Sequence, residues 1–366
     1  MDRNITQERS RLENSAMTAK GNIAWINTAK AICIFLVFCF HTQYYMQVDL
    51  SNISCLYEPF FTNGFFFISG YLLLGKQWKT DLLSLSYKSW LMGKQKGNGR
   101  NLLGNIVFRI SLPTILFSSF LFIPKIVLRG EKFDVNTFLH DTIYGGSIWF
   151  TCALTVAELI LFLLLLIRVR KWWLYLAVSI ALTFVAIYFS KDSEGLYGTR
   201  DVPWFWKGGF IATLFMSLGG IYHKYEKFLD TNKPVWIVAS VLLVYIIFTS
   251  VFKTLISVSI NVASLNVFGF VASMMGIYLL IEISKRLPST SWVDYVGRHT
   301  LVLYFFSGAI PNVLSIVFSQ LLPCNLVAYF LISFLSFILA LFITYFINHY
   351  LEILVDLRYL LHRQAS

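Results

Sequence analysis

The sequence predicts an all-α, polytopic membrane protein of about ten transmembrane helices, with both termini cytoplasmic. Three observations carry that expectation. Apolar residues make up 57% of the 366 and charged residues only 13%, whereas a soluble domain needs about a quarter of its residues charged. The apolar residues come in long runs such as Leu159–Ile167 and Phe330–Ile347, without the polar alternation of a membrane-barrel strand. The basic residues are also distributed unevenly around those runs.

In chain order, residues 1–22 are polar and read as a flexible cytoplasmic tail. The run 23–47 follows. At about 25 residues it is too long for the apolar region of a signal peptide, and no small-x-small cleavage site follows it. It reads as a retained first helix. Further runs lie at 58–75, 102–124, 146–167, 173–190, 205–222, 235–252, 262–283, 297–320 and 325–350. Each is close to the roughly 20 residues that cross a hydrocarbon core. Gly93–Arg100, rich in Lys, Gly and Asn, reads as a mobile loop. Residues 351–366 form a second tail, so that 23–350 is one membrane domain.

With the N-terminus inside, cytoplasmic segments hold 21 of the 30 Lys and Arg residues and outer loops, Lys207 among them, hold seven. That bias orients membrane proteins. The net charge of +11 then reflects topology and contact with anionic membrane lipids, and not nucleic acid. Of the five cysteines, Cys33, Cys39 and Cys152 lie inside spans as small apolar filler, and none has the spacing of a metal site.

Four ionisable residues, Lys30, His41, Arg109 and Glu158, fall well inside the expected spans, away from their ends. A charge at the centre of the hydrocarbon costs at least about 2.5–3.5 kcal/mol, so such groups face a cavity or one another. Helical rise puts Lys30 and Arg109 each roughly 10 Å in from the cytoplasmic end, with Glu158 in the same inner half. His41 shares a helix face with Lys30 and lies roughly 16 Å further out. Two arrangements fit. In one, Glu158 neutralises Lys30 or Arg109 and His41 hydrogen-bonds locally. In the other, a cationic vestibule opens below a titratable imidazole, which suits a phosphate-bearing donor that threads its reactive end up to the histidine.

Several segments together resemble a known family. Lys30 and His41 resemble the (Arg/Lys)-x10-His motif of helix 1 in the acyltransferase 3 family, integral membrane glycan O-acyltransferases, with Trp25-Ile26-Asn27 before and Thr42 after. Phe65-Phe66-Phe67-Ile68-Ser69-Gly70-Tyr71-Leu72 is similar to its aromatic-rich Ser-Gly-(Phe/Tyr) helix 2. Arg109-Ile110-Ser111-Leu112-Pro113 resembles its Arg-x-x-x-Pro element, and Ser147-Ile148-Trp149-Phe150 the start of its helix 4. Gly297-Arg298-His299-Thr300-Leu301-Val302-Leu303-Tyr304 resembles a Gly-x-x-(Ser/Thr)-Leu-x-x-Tyr segment near its end. The sequence departs from the family pattern twice. Arg109 stands without a paired arginine, with Asn105 and Ile106 upstream, and Ser307 stands where a Tyr-x-x-His histidine is common.

The resemblance implies transfer of an acyl group, usually acetyl, from cytoplasmic acetyl-CoA to a hydroxyl of a surface or lipid-linked glycan at the cell inner membrane. No metal is implied. His41 would be general base or acyl carrier, and Lys30 and Arg109 would hold donor phosphates. Arg298 and the basic 76–100 loop would form an outer funnel. A polysaccharide-assembly partner protein would complete the transfer if the membrane domain does not act alone. Each supporting residue keeps a structural alternative: helix packing for Ser69, an interfacial anchor for Trp149, plain packing for Tyr304 and charge pairing for Glu158. A transporter or flippase of a glycan or lipid precursor is the competing function, since buried Lys, Arg, Glu and His suit a proton-coupled carrier too.

Overall fold

The computed structural model describes residues 2–79, 99–130, 132–146, 148–169, 171–190, 203–229, 233–260, 263–319, 321, 325–351 and 355. The loop expected over Gly93–Arg100 falls almost wholly outside these residues, as does Ser147. The chain is predominantly helical. The elements are α1 (Asp2–Met46), α2 (Ser51–Ser54), α3 (Phe61–Lys79), α4 (Gly99–Ile106), α5 (Leu112–Arg129), α6 (Val135–Thr142), α7 (Trp149–Leu166), α8 (Trp172–Ser190), α9 (Trp206–Leu229) and α10 (Val235–Val251). There follow α11 (Val267–Arg286), α12 (Ser291–Arg298), α13 (Thr300–Phe306), α14 (Ala309–Ser319) and α15 (Leu326–Tyr350). A hairpin of β1 (Val258–Ser259) and β2 (Ser264–Leu265) precedes α11.

Six of these segments are long and apolar enough to cross a membrane: Ala24–Met46, Asn101–Val127, α7, α8, α11 and α15. The pair α13–α14, bent by 43°, makes a seventh if it counts as one span. Among the described residues the count is thus lower than the ten expected. Phe61–Gly75 and α10 are apolar but shorter, and α9 dilutes its apolar stretch with four glycines and charged ends. The large apolar side chains that remain exposed are those that a lipid environment accepts, such as Phe120, Ile123 and Val127 on α5, Phe184 and Tyr188 on α8, and Phe342 and Phe346 on α15.

α1 departs from expectation at its start. The helix runs from Asp2 through the segment read as a flexible tail, where residues 2–20 hold no glycine or proline to stop it. Its apolar half is the hub of the bundle, packed against α3 and against α11 through α15. Of its described residues only Tyr44 is a large apolar side chain left exposed.

The tightest helix pair is α3 with α9. A Cβ at Gly70 would lie 1.9 Å from the Met216 carbonyl oxygen, and one at Gly219 would lie 1.9 Å from that of Phe67. Small residues let the backbones approach, which is how helices gain dispersion energy in lipid. Lys207, expected in an outer loop, is instead buried at the start of α9 and donates to the Phe189 carbonyl at 2.8 Å. Its long stem lets the ammonium reach the last turn of α8, where carbonyls lack helical donors.

Candidate active site

His41 and Lys30 both lie on the hub helix and both are half-buried. Because α1 is unbroken between them, their spacing of about three turns keeps them on one face, roughly 16 Å apart along the axis. The imidazole packs edge-on against Phe40, with centroids 5.7 Å apart, and stacks with Tyr45 at 6.2 Å and 20°. Its Cε1 faces Gly308, 3.9 Å from where a Cβ would stand.

Gly308 lies in the break between α13 and α14. Pro311 explains the break. It has no N–H for the carbonyl four residues earlier, that of Ser307, and its ring crowds the same carbonyl. The Ser307 N–H and hydroxyl both turn back to the Tyr304 carbonyl, at 3.1 and 2.7 Å. The helix therefore ends, bends and restarts beside the histidine.

The segment Asn101–Val127 shows the same device. Pro113 stands four residues after Arg109, and the chain passes from α4 to α5 through a π-helical turn at Val107–Ser111. The Ser111 hydroxyl donates to the Ile106 carbonyl five residues back, at 3.0 Å, and also reaches Thr155 Oγ1 at 3.4 Å on α7. One turn along α7 is Glu158, 8% exposed, and the guanidinium of Arg109 is near enough to act on it electrostatically. Arg109 itself is exposed at the wide turn, which is how a π-bulge re-aims a side chain.

Trp149 and Tyr304 both flank Phe150 at the start of α7. The Phe150 N–H donates to the Tyr304 hydroxyl at 3.3 Å, and the Phe150 ring lies 4.9 Å from that of Tyr304 and 6.1 Å from that of Trp149. Phe65 and Phe66 of α3 close the cluster at 5.5 and 4.8 Å from Phe150. Ser69 sits one turn beyond, half-buried, and its neighbour Gly70 belongs to the α3–α9 contact.

The Gly297-Arg298-His299 segment also packs directly on the opening of α1. A Cβ on Gly297 would stand 2.3 Å from the Asn27 carbonyl oxygen, and the Asn27 amide donates to Asp294. Arg298, expected as part of a basic funnel, is ion-paired with Asp294 at 2.7 Å, a contact that offsets its charge locally.

A cluster that sequence reasoning passed over lies near Trp25. Tyr71 donates to Glu226, which is 8% exposed, and Lys285 stands 3.4 Å from the same carboxylate. Lys285 also donates to the Tyr222 hydroxyl at 3.1 Å and lies 5.3 Å from the centroid of the Trp25 ring. The signal was Tyr222 and Glu226, spaced i,i+4, once α9 is continued past residue 222. Among the described residues, no group of His, Cys, Asp and Glu could hold a metal ion.

Membrane-crossing helices gathered about a hub that carries a half-buried imidazole define an integral membrane protein with an interior polar site. The family model for acyltransferase domains matches residues 23–349, nearly the whole chain. The chain belongs to the acyltransferase 3 family and is a membrane acyltransferase. No curated protein and no solved structure matches it.

Proposed function

We propose that this acyltransferase moves an acyl group, acetyl in the first instance, from acyl-CoA to a hydroxyl of a surface or lipid-linked glycan. It does so in the cell inner membrane, with ten spans, both termini cytoplasmic and Lys30 on the cytoplasmic side of His41. The observation that carries this reading is the setting of His41: half-buried on the hub helix, beside the break at Gly308, with Lys30 on the same face. Family membership supports the transferase class.

In this reading Lys30 and Arg109 hold donor phosphates, Arg109 being kept in place by Glu158. The extended arm of the donor then reaches toward His41. The acceptor oxygen attacks the thioester carbonyl carbon while its proton passes to His41, and the C–S bond breaks. The sulfur leaves as thiolate and takes the proton from the imidazolium. Histidine suits the task because its ordinary pKa lies near neutrality. Tyr304, held against the first turn of α7, and Trp149 border the acceptor side; Ser69 supports them through the α3 backbone. A separate polysaccharide-assembly partner would receive or present the glycan.

A carrier remains the second reading because a discontinuous helix such as α13–α14 is a device of transporters. Membranes containing the protein, given labelled acetyl-CoA and their own glycans, separate the two. The expected result is label in glycan from wild type and loss of at least about a hundredfold in His41→Ala. Equal labelling by both would remove His41 from the chemistry. Labelling by neither with any acyl-CoA, together with glycan precursor accumulating in vesicles, would establish the carrier.

A further inference from the structure

We propose that Gly308 sets the size of the acyl group that this enzyme transfers, by leaving open a position that faces the reactive edge of His41. The inference rests on the reading of His41 as the catalytic base or carrier. Three facts carry it. First, among the described residues beyond its two chain neighbours, the atoms within 4 Å of a Cβ on Gly308 are the His41 Cε1 and the Tyr45 hydroxyl oxygen, each at 3.9 Å. Secondly, His41, Tyr45 and Gly308 each keep partial access, although α1 packs against six other helices.

Thirdly, the side chains around that point are held in place. Tyr45 stacks on His41 and is crossed edge-on by Tyr44 at 5.3 Å. On the other side Ser307 is buried and hydrogen-bonded back to Tyr304. A helix break is where a Cβ would most easily be tolerated, and glycine here is not required by the backbone: Gly308 is absent from the described glycines with positive φ, Gly130 and Gly145. What glycine supplies at 308 is space.

Cε1 lies between the two ring nitrogens. A carbon that reacts at either nitrogen, or with a hydroxyl held by it, lies within about 3–3.5 Å of its nucleophile. The substituent on that carbon is then directed to the edge that Gly308 faces. For an acetyl group this substituent is a methyl; each further carbon of a longer chain must enter the space at Gly308.

The test measures transfer from labelled acetyl-, propionyl- and butyryl-CoA to the glycans of the producing cell's membranes, for wild type, Gly308→Ala, Gly308→Val and the control Gly104→Ala. Gly104 has nothing within 4 Å of its Cβ position. One methyl in a pocket discriminates by about tenfold or more, so Gly308→Ala is expected to raise the acetyl-to-propionyl ratio of kcat/KM about tenfold. Gly308→Val suppresses all three donors, and Gly104→Ala leaves the ratio unchanged. Thermal unfolding in detergent checks that Gly308→Ala is folded, as its ordinary contact distances predict. An active, folded Gly308→Ala enzyme with the wild-type ratio, or with equal losses for all donors, overturns the inference and leaves the role of His41 standing. A folded wild type that transfers nothing, or a His41→Ala variant that transfers normally, overturns both.

Discussion

The backbone N–H of Phe150 donates to the hydroxyl of Tyr304 across 3.3 Å, joining two segments 154 residues apart in the chain. The first turn of a helix leaves its N–H groups without internal partners, and Ile148, at the N-cap of α7, supplies no side-chain bond. Tyr304 thus acts as a remote cap. Its ring packs on Phe150 in the same contact, so one side chain ties the bent pair α13–α14 to the start of α7.

Tyr304→Phe keeps the ring and removes the acceptor. The unpaired N–H should cost about 1 kcal/mol, the usual value for a buried hydrogen bond. Thermal unfolding of the purified protein in detergent should show a lower midpoint. An unchanged midpoint would mean that the N–H has found another acceptor and that the hydroxyl serves chemistry alone.

Arg109 and Glu158 should behave as a coupled pair. Arg109→Gln and Glu158→Gln each leave one charge facing the other's vacancy, and Glu158 is the buried member. A double-mutant cycle on stability should give a coupling of about 0.5 kcal/mol or somewhat more, since the exposed guanidinium is partly screened. Strict additivity would show that the two charges act independently.

Pro113→Ala should restore the missing N–H between α4 and α5 and let the π-turn relax to α-helix. The residues from Val107 onward then rotate relative to α7, which carries the Arg109 side chain away from its present bearing. The expected signature is a stability equal to or above wild type with a raised KM for acyl-CoA. A variant with unchanged KM would detach the π-turn from donor binding.

Gly70→Ala should be far worse than Ser69→Ala. At Gly70 the new methyl meets backbone, the Met216 carbonyl oxygen at 1.9 Å, and overpacking of this kind costs about 1–3 kcal/mol or more. Yield of folded protein should drop sharply for Gly70→Ala and little for Ser69→Ala. If Ser69→Ala instead keeps its fold and loses transfer, the serine has a chemical part beyond packing.

Much of the site was legible in the chain because helical periodicity converts spacing into geometry. Lys30 and His41 share a face by their spacing alone, and the unbroken α1 realises it. The prolines were legible too: Pro113 and Pro311 each stand four residues after a carbonyl that then lacks its donor, and both spans are irregular there. The burial of Glu226 and Lys207 was not legible. Each depends on how far α9 extends and which neighbours reach its ends, information that lies in α3, α8 and α11 and not in the local sequence.

By itself the sequence determined that this is a helical membrane protein of the acyltransferase 3 family, and which ionisable residues lie among its helices. Composition and run length suffice for the helical membrane class, because the cost of exposing backbone and charge to lipid leaves so few alternatives, while the ordered motifs carry the family. The tertiary structure decided the partners: Tyr304 against Phe150, Arg298 with Asp294, Tyr71 with Glu226 and Gly308 opposite His41. Those choices follow from which helix faces are pressed together, and close packing of side chains from distant segments is not written in any one of them.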